Sequence, residues 1–230
     1  MGTLFIVATP IGNIGDITKR AIETLQNVDV VACEDSRNTG KLLKLLDIPK
    51  KQLVSLHQHS NDEVIERLIG RLHSGENIAY VTDGGTPNIS DPGLKLIQNA
   101  KLKSQNYNLK IKIIPIPGPS AVASAVSVSG MVEKEFYFAG FLPKKNGRQT
   151  KFRELSALNV PIVIYESALR LPRTLNDIKE YFGDDTEVFI AREMTKMFEE
   201  YWGGSIIDII NDLKSHKLKG EVTLIVKKLF

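Results

Sequence analysis

Short runs of β-branched and other apolar residues alternate along the chain with segments whose apolar positions recur at helical spacing. The runs have the length of buried strands and the segments that of surface helices. The pattern therefore predicts βα units and largely parallel sheets, not a sandwich. Strands are expected at residues 4–9, 28–33, 78–82 and 111–116. After the first, Asp16 is placed to cap a helix carrying Ile17, Ala21, Ile22 and Leu25 on one face. A second helix runs through Leu42, Leu43, Leu45 and Leu46 until Pro49 closes it. Asp91 and Pro92 supply a cap and a first-turn proline ahead of Leu94, Leu96 and Ile97.

Pro115, Pro117 and Pro119 are the strongest punctuation in the chain, since each removes a backbone donor and restricts the residue before it. They divide an expected N-terminal α/β domain, residues 1–116, from a C-terminal α/β domain, residues 117–230. In the second, a helix of small residues at 120–129 precedes strands at 136–142, 162–165, 188–191 and 222–227. Helical patterns lie between them around 152–158, 175–182 and 206–213.

Composition narrows the function classes. With 42% apolar and 25% charged residues in 230, the chain is an ordinary globular protein. The formal charge of +3 is spread over both halves, with 14 basic and 12 acidic residues up to Ile116 and 16 and 15 after it, so neither half is a basic arm. The single Cys33 excludes an internal disulfide framework and a four-cysteine zinc site, and fits a reducing cytosol. No signal-peptide pattern opens the chain, and its most apolar long stretch, 111–132, is broken by Lys112, three prolines and several serines. A cytoplasmic protein without a membrane span is expected.

Several loops carry candidate chemistry. The stretch from Val81 to Gly93 crowds glycines, prolines and short polar side chains directly after a strand, where open α/β sheets bind ligands; a plain turn would use the same residue types. Neither the dinucleotide fingerprint nor the P-loop pattern occurs. Glu34, Asp35 and Arg37 follow the second strand and could orient a substrate hydroxyl, or could simply cap and pair at the next helix. His57 and His59 alternate along a strand-like segment and would point to opposite faces, so no metal is expected there. Between Pro143 and Arg153 stand Lys144, Lys145, Arg148, Lys151 and Arg153 with no acid until Glu154, a footprint for a polyanion or a solvated face. Arg192, Glu193 and Lys196 cluster after a late strand, as a site or as a surface ion-pair group.

Seven segments span almost the whole chain in one order: Thr9-Pro10-Ile11-Gly12-Asn13, Glu34-Asp35-Ser36-Arg37, Asp83 to Gly93, Pro117 to Ala121, Gly140-Phe141-Leu142-Pro143, Arg192 to Lys196, and Gly220-Glu221-Val222. Together they closely resemble the ribosomal RNA small subunit methyltransferase I family, a branch of the tetrapyrrole-methylase-like S-adenosylmethionine enzymes. The resemblance implies two α/β domains, each a mixed or mostly parallel sheet flanked by helices, with a cofactor cleft between domains, in a homodimer. It implies S-adenosylmethionine as cofactor and a cytidine 2′-hydroxyl of 16S rRNA, in the small ribosomal subunit, as acceptor. Carried over by motif, the cofactor meets Pro10, Asp83, Gly84, Gly85, Thr86, Ile89, Ser120, Ala121, Leu142, Val222 and Thr223. One departure stands out. The family usually carries Pro-His-Arg after the strand containing Glu166, and here Glu166-Ser167-Ala168-Leu169-Arg170 keeps the Glu and Arg without the His. Either another group takes the proton or no strong base is required.

Methyl transfer from a sulfonium to a ribose oxygen is an in-line displacement. Alignment can contribute on the order of 7–11 kcal/mol, and a general base a further factor of roughly 10²–10⁴. Glu34 and Asp35, with Arg37 beside them, are the first candidates for handling the proton. Glu193 and Lys196 are the alternative pair, Lys196 only if burial lowers its pKa. The sulfonium is itself the electrophile, so the reaction asks for no metal. Lys144, Lys145, Arg148, Lys151 and Arg153 would contact RNA phosphates. Two other functions suit the same residues: a tetrapyrrole or diphthine-type methyltransferase on this scaffold, or a non-catalytic ribosome-binding protein.

Overall fold

The computed structural model describes residues 1–57, 62–106, 111–216 and 219–229. It divides into two units, Met1–Ser120 and Ala121–Phe230.

The first unit alternates strands and helices: β1 (Thr3–Val7), α1 (Lys19–Asn27), β2 (Val30–Cys33), α2 (Ser36–Leu45), β3 (Gln52–Ser55), α3 (Asp62–His73), β4 (Ile78–Val81), α4 (Leu94–Asn106) and β5 (Lys112–Ile116). Its sheet has the order β3-β2-β4-β1-β5 and is parallel throughout. Because a strand's side chains alternate, β1, β2 and β4 must be apolar on both faces. Leu4, Ile6, Val30, Ala32, Ile78 and Tyr80 pack on one side with Ile65, Leu68, Ile69 and Leu72 of α3 and Leu96 and Ala100 of α4. Val7, Val31, Cys33, Ala79 and Val81 pack on the other with Ala21 and Leu25 of α1 and Leu43 of α2. The chain thus moves outward from β1 through β2 to β3 under one face and returns to β4 and β5 over the other. Neighbouring β2 and β4 send their loops to opposite faces, which makes the crevice at their C-terminal ends the topological switch point.

Two caps differ from the sequence expectation. Asp16 lies in a short 3₁₀ turn, and α1 is capped instead by Thr18, whose hydroxyl accepts from the Ala21 amide at 3.1 Å. Asp91 does not cap α4, because Gly93 stands at φ +126° and delays the helix to Leu94. Neither β3 nor α3 is among the elements expected from the pattern. β3 buries only Val54, too little for a periodic signal, whereas α3 carries Ile65, Leu68, Ile69 and Leu72 at full helical spacing.

The second unit comprises α5 (Ala121–Ser129), β6 (Tyr137–Phe141), α6 (Arg148–Ser156), β7 (Ile162–Ser167), α7 (Leu171–Phe182), β8 (Thr186–Arg192), β9 (Glu200–Ser205), α8 (Ile206–Asp212) and β10 (Glu221–Lys228). Its sheet, β6-β7-β10-β8-β9, is mixed: β6 and β7 are parallel and every other pair antiparallel. The largely parallel pattern read from the sequence therefore describes the first unit. Here β8 turns back into β9, which was not anticipated, and β10 enters between β7 and β8. Val222, Leu224 and Val226 face a core closed by Phe152 and Leu155 of α6, Leu171, Leu175 and Ile178 of α7, and Ile206 and Ile209 of α8.

A polar chain runs through this unit. Glu166 is 1% exposed. It accepts from the Thr174 hydroxyl at 2.8 Å and stands 3.2 Å from Arg170 Nε. Arg148 Nη2 donates to Thr174 Oγ1 at 2.9 Å and lies 2.6 Å from Asp177. Three arginines take successive carbonyls after β6: Arg170 holds Leu142 at 2.9 Å, Arg148 holds Pro143 at 3.1 Å and Arg173 holds Lys144 at 3.3 Å. Glu166 and Arg170, kept without the intervening His, thus fix the segment that follows β6.

Candidate active site

The loops leaving β1, β2, β4 and β5 meet at one edge of the parallel sheet and are bonded to one another. Thr9 and Gly85 exchange backbone hydrogen bonds of 3.0 and 2.9 Å, and the Thr9 hydroxyl donates to the Thr82 carbonyl at 3.2 Å. The Thr86 hydroxyl donates to the Pro119 carbonyl at 3.0 Å, so this side chain ties the β4 loop to the β5 loop. A Cβ at Gly84 would stand 3.1 Å from the Pro10 carbonyl oxygen, tighter than most side chains tolerate, and glycine lets the two loops close. Pro10, Asp83, Gly84, Gly85 and Thr86 are thereby brought together. Ile89 is held near them by a bond from its amide to the Thr86 carbonyl.

The acidic side chains here separate by environment. Asp35 caps α2 by accepting from the Arg37 amide at 2.8 Å and pairs with the Arg37 guanidinium at 2.6 Å. The Arg37 hydrogen bonds hold the Asp35 carboxyl down at about 2. Asp35 and Arg37 pair at the surface, and the lowered Asp35 carboxyl is a weaker proton acceptor than Glu34. Glu34 is half-buried; burial and the neighbouring Asp83 push its carboxyl up. Asp91 goes further, to about 6, through burial and the charge of Glu34.

Glu34 and Asp91 border a cavity of about 450 Å³ with His57, Leu56, Ile65 and Leu96. Its β4 wall is held in sparsely populated backbone: Asn88 and Ser90 stand at φ +70° and +68°. At Gly93 a Cβ would run into the Tyr80 ring, whose hydroxyl donates to the Pro92 carbonyl at 2.6 Å. By name, Asp91 enters the sequence reading only as a cap, and His57 only as one of two histidines not expected to hold a metal. The signal that could have found Asp91 is its place in the same Gly- and Pro-rich stretch as Asp83. Gln58 and His59 lie outside the described residues. Among the described residues no group of three or more His, Cys, Asp or Glu is arranged to hold a metal ion, and no helix is long and apolar enough to cross a membrane.

In the second unit, Glu193 and Lys196 form a clasp. Lys196 Nζ lies 2.8 Å from Glu193 and 2.7 Å from Glu221, and Glu193 also accepts from the Glu221 amide at 3.0 Å. Burial alone would lower the Lys196 ammonium, but the two carboxylates outweigh it and hold the group above the ordinary lysine range. Lys196 stays charged and cannot accept a proton, contrary to the expectation tied to its burial. Against its own burial, Glu193 is held low by Lys196 and the Glu221 amide, which makes it a poor base. The pair fastens the β8–β9 loop to the start of β10.

Of the remaining expected cofactor contacts, Ser120 ends the first unit and Ala121 opens α5. The Leu142 and Val222 side chains are buried in the helical core of the second unit. Adjacent strand residues point to opposite faces, so the Thr223 side chain lies on the other side of the sheet. Leu142 and Val222 can offer a ligand only their backbone. In the basic run, Lys144, Lys145 and Arg153 are exposed, and Lys151 lies over the Tyr137 ring at 5.4 Å from its centroid. Arg148 is 4% exposed and committed to Asp177 and Thr174. It is a structural residue, a correction to its expected contact with phosphate.

Residues 3–209 match the model of the tetrapyrrole (corrin/porphyrin) methylases. The chain is 42% identical over 227 residues to a ribosomal RNA small subunit methyltransferase I from Synechocystis, covering 98% of this chain and 79% of that one. It is also 42% identical over 226 residues to the protein of the same name from Thermotoga maritima, covering 98% of both. Among solved structures, the methyltransferase CobJ aligns over 100% of both chains with a TM-score of 0.70 at 13% identity, a likeness of fold.

Proposed function

The chain belongs to the tetrapyrrole methylase family, in the branch of the ribosomal RNA small subunit methyltransferases I, and from that premise we propose that it methylates the 2′-hydroxyl of a cytidine in 16S rRNA. The observation that carries the reading is the set of bonded loops at the switch point, with the half-buried Glu34 carboxyl beside an exposed Asp83. The proposed cofactor is S-adenosylmethionine, which supplies a methyl group on a positively charged sulfur.

The residues present suit that cofactor. Asp83 offers acceptor oxygens for hydroxyl or ammonium donors, and the Gly84–Pro10 closure presents backbone beside it. Pro10, Asp83 to Thr86, Ile89 and Ser120 would hold it from the first unit, Ala121, Thr223 and the backbone of Leu142 and Val222 from the second.

Glu34 accepts the proton of the ribose hydroxyl as the oxygen bonds to the methyl carbon and the carbon–sulfur bond breaks; the proton then passes to water. Its raised pKa makes the ionised carboxylate a better acceptor than an ordinary glutamate. Asn38 fixes Asp83, and through it the field at Glu34. The exposed Lys144, Lys145 and Arg153, with Lys151 beside them, contact RNA phosphates and set its position without reading sequence. The proposed assembly is a cytoplasmic homodimer acting on the small ribosomal subunit.

Ribose-methylation mapping of 16S rRNA from a deletion strain tests this, with and without the chain resupplied. One cytidine should lose its 2′-O-methyl group and regain it with the wild type. A Glu34→Gln variant should bind S-adenosylmethionine in calorimetry and transfer methyl roughly 10²–10⁴ times more slowly. An unchanged methylation map would remove the proposal.

A further inference from the structure

The cavity beside Glu34 has walls that proton transfer does not require. Leu56, Ile65 and Leu96 back it and are almost fully buried, Leu94 stands exposed at it, and its ionisable groups are Glu34, His57, Asp91 and Lys95. At about 450 Å³ it falls within the range of small-molecule pockets. It is built entirely from the first unit, by residues that follow β2, β3 and β4 and by α3 and α4, and includes none of Pro10, Gly84 or Gly85. Apolar walls with acceptors at one margin suit a flat ring that carries an amine donor at its edge. An ionised carboxylate only accepts hydrogen bonds. Cytosine offers the N4 amine as donor where uracil offers the O4 acceptor.

We infer that this cavity takes the extruded cytosine ring of the target nucleotide, with Asp91 receiving its N4 amine and Pro92 and Leu94 offering apolar surface to the ring. The inference rests on the proposed RNA methylation and adds the means by which the base is chosen. A base inside a helical stack cannot enter such a pocket, so the nucleotide leaves the stack to do so. Seating the ring there brings its own ribose toward Glu34 on the same wall, so that one pocket both selects the base and presents the 2′-hydroxyl. A uracil ring would set its O4 lone pairs against Asp91.

The test uses the full-length protein and small subunits reconstituted with cytidine, uridine or N4,N4-dimethylcytidine at the mapped position. The wild type should favour cytidine over both by at least about tenfold in kcat/KM. Asp91→Asn places an amide donor at the same point and should bring the cytidine-to-uridine ratio toward one, with S-adenosylmethionine affinity unchanged. A wild type indifferent to uridine or to the N4 methyl groups would overturn the pocket assignment, as would an active Asp91→Asn that keeps the full ratio. The two substituted substrates decide the matter on the wild type alone if the variant does not fold. Failure of the wild type to methylate any cytidine-bearing subunit would instead overturn the underlying RNA methylation.

Discussion

Asn38 donates its side-chain amide to the Asp83 carboxylate at 2.8 Å, joining the first turn of α2 to the loop after β4. The bond holds a negative charge close to Glu34, where it helps to raise that carboxyl. Asp83→Asn removes the charge, so Glu34 ionises at lower pH. The acid limb of the kcat/KM profile should shift to lower pH, and an unshifted limb would show that Asp83 does not govern the base.

Arg148 separates structure from recognition in the basic run. Arg148→Met leaves Asp177 and Thr174 without their partner and should cost roughly 3 kcal/mol of stability, read from the denaturant midpoint. Lys144→Gln with Lys145→Gln should leave the midpoint in place. It should reduce the slope of log affinity for RNA against log salt by about 1.4–1.8. If Arg148→Met folds with full stability and a reduced slope, the buried role is wrong.

Gly93 stands at φ +126° against the Tyr80 ring, with the Asn88 side-chain oxygen 2.7 Å from where a Cβ would lie. Gly93→Ala combines backbone strain with overpacking and should destabilise the chain by on the order of 2–4 kcal/mol. Thermal unfolding measures this. A change below about 0.5 kcal/mol, the usual surface effect, would mean that the loop relaxes freely.

Asp91 links stability to pH. Its carboxyl rises on folding from 3.8 to about 6, so between these values the native chain binds more protons than the unfolded one. Stability from this group therefore falls as pH rises from about 4 to about 6. Asp91→Asn lacks that slope and should gain on the wild type across the window, then hold a constant difference above it. Parallel stability curves would contradict the assignment.

The strands of the first unit were legible because parallel strands are apolar on both faces and stand out as continuous runs. The edge strand β3, with Val54 alone buried, gave no such signal, and β9 has two glycines among its residues. Antiparallel pairing in the second unit was not legible, since β10 and β8 are apolar runs indistinguishable from parallel strands. For the site, the Asp83 loop announced itself by its glycines and prolines. The separation of Asp35 from Glu34 depends on which carboxylate meets Arg37 and which is buried. Lys196 was read for the effect of burial, yet its behaviour is set by Glu193 together with Glu221, the latter 25 residues away in sequence.

The position of β1 carries a consequence for synthesis. Thr3–Val7 is the first strand of its unit to be made, yet its neighbours in the sheet are β4 and β5, the last two of that unit. A nascent chain holds this apolar strand without either partner until Ile78–Val81 has emerged, and with one edge open until Lys112–Ile116 follows. Pairing over such separations folds slowly and leaves an exposed edge meanwhile. The segment that ends at Thr9 and Pro10, beside the proposed cofactor contacts, is therefore the one that spends longest waiting for its place.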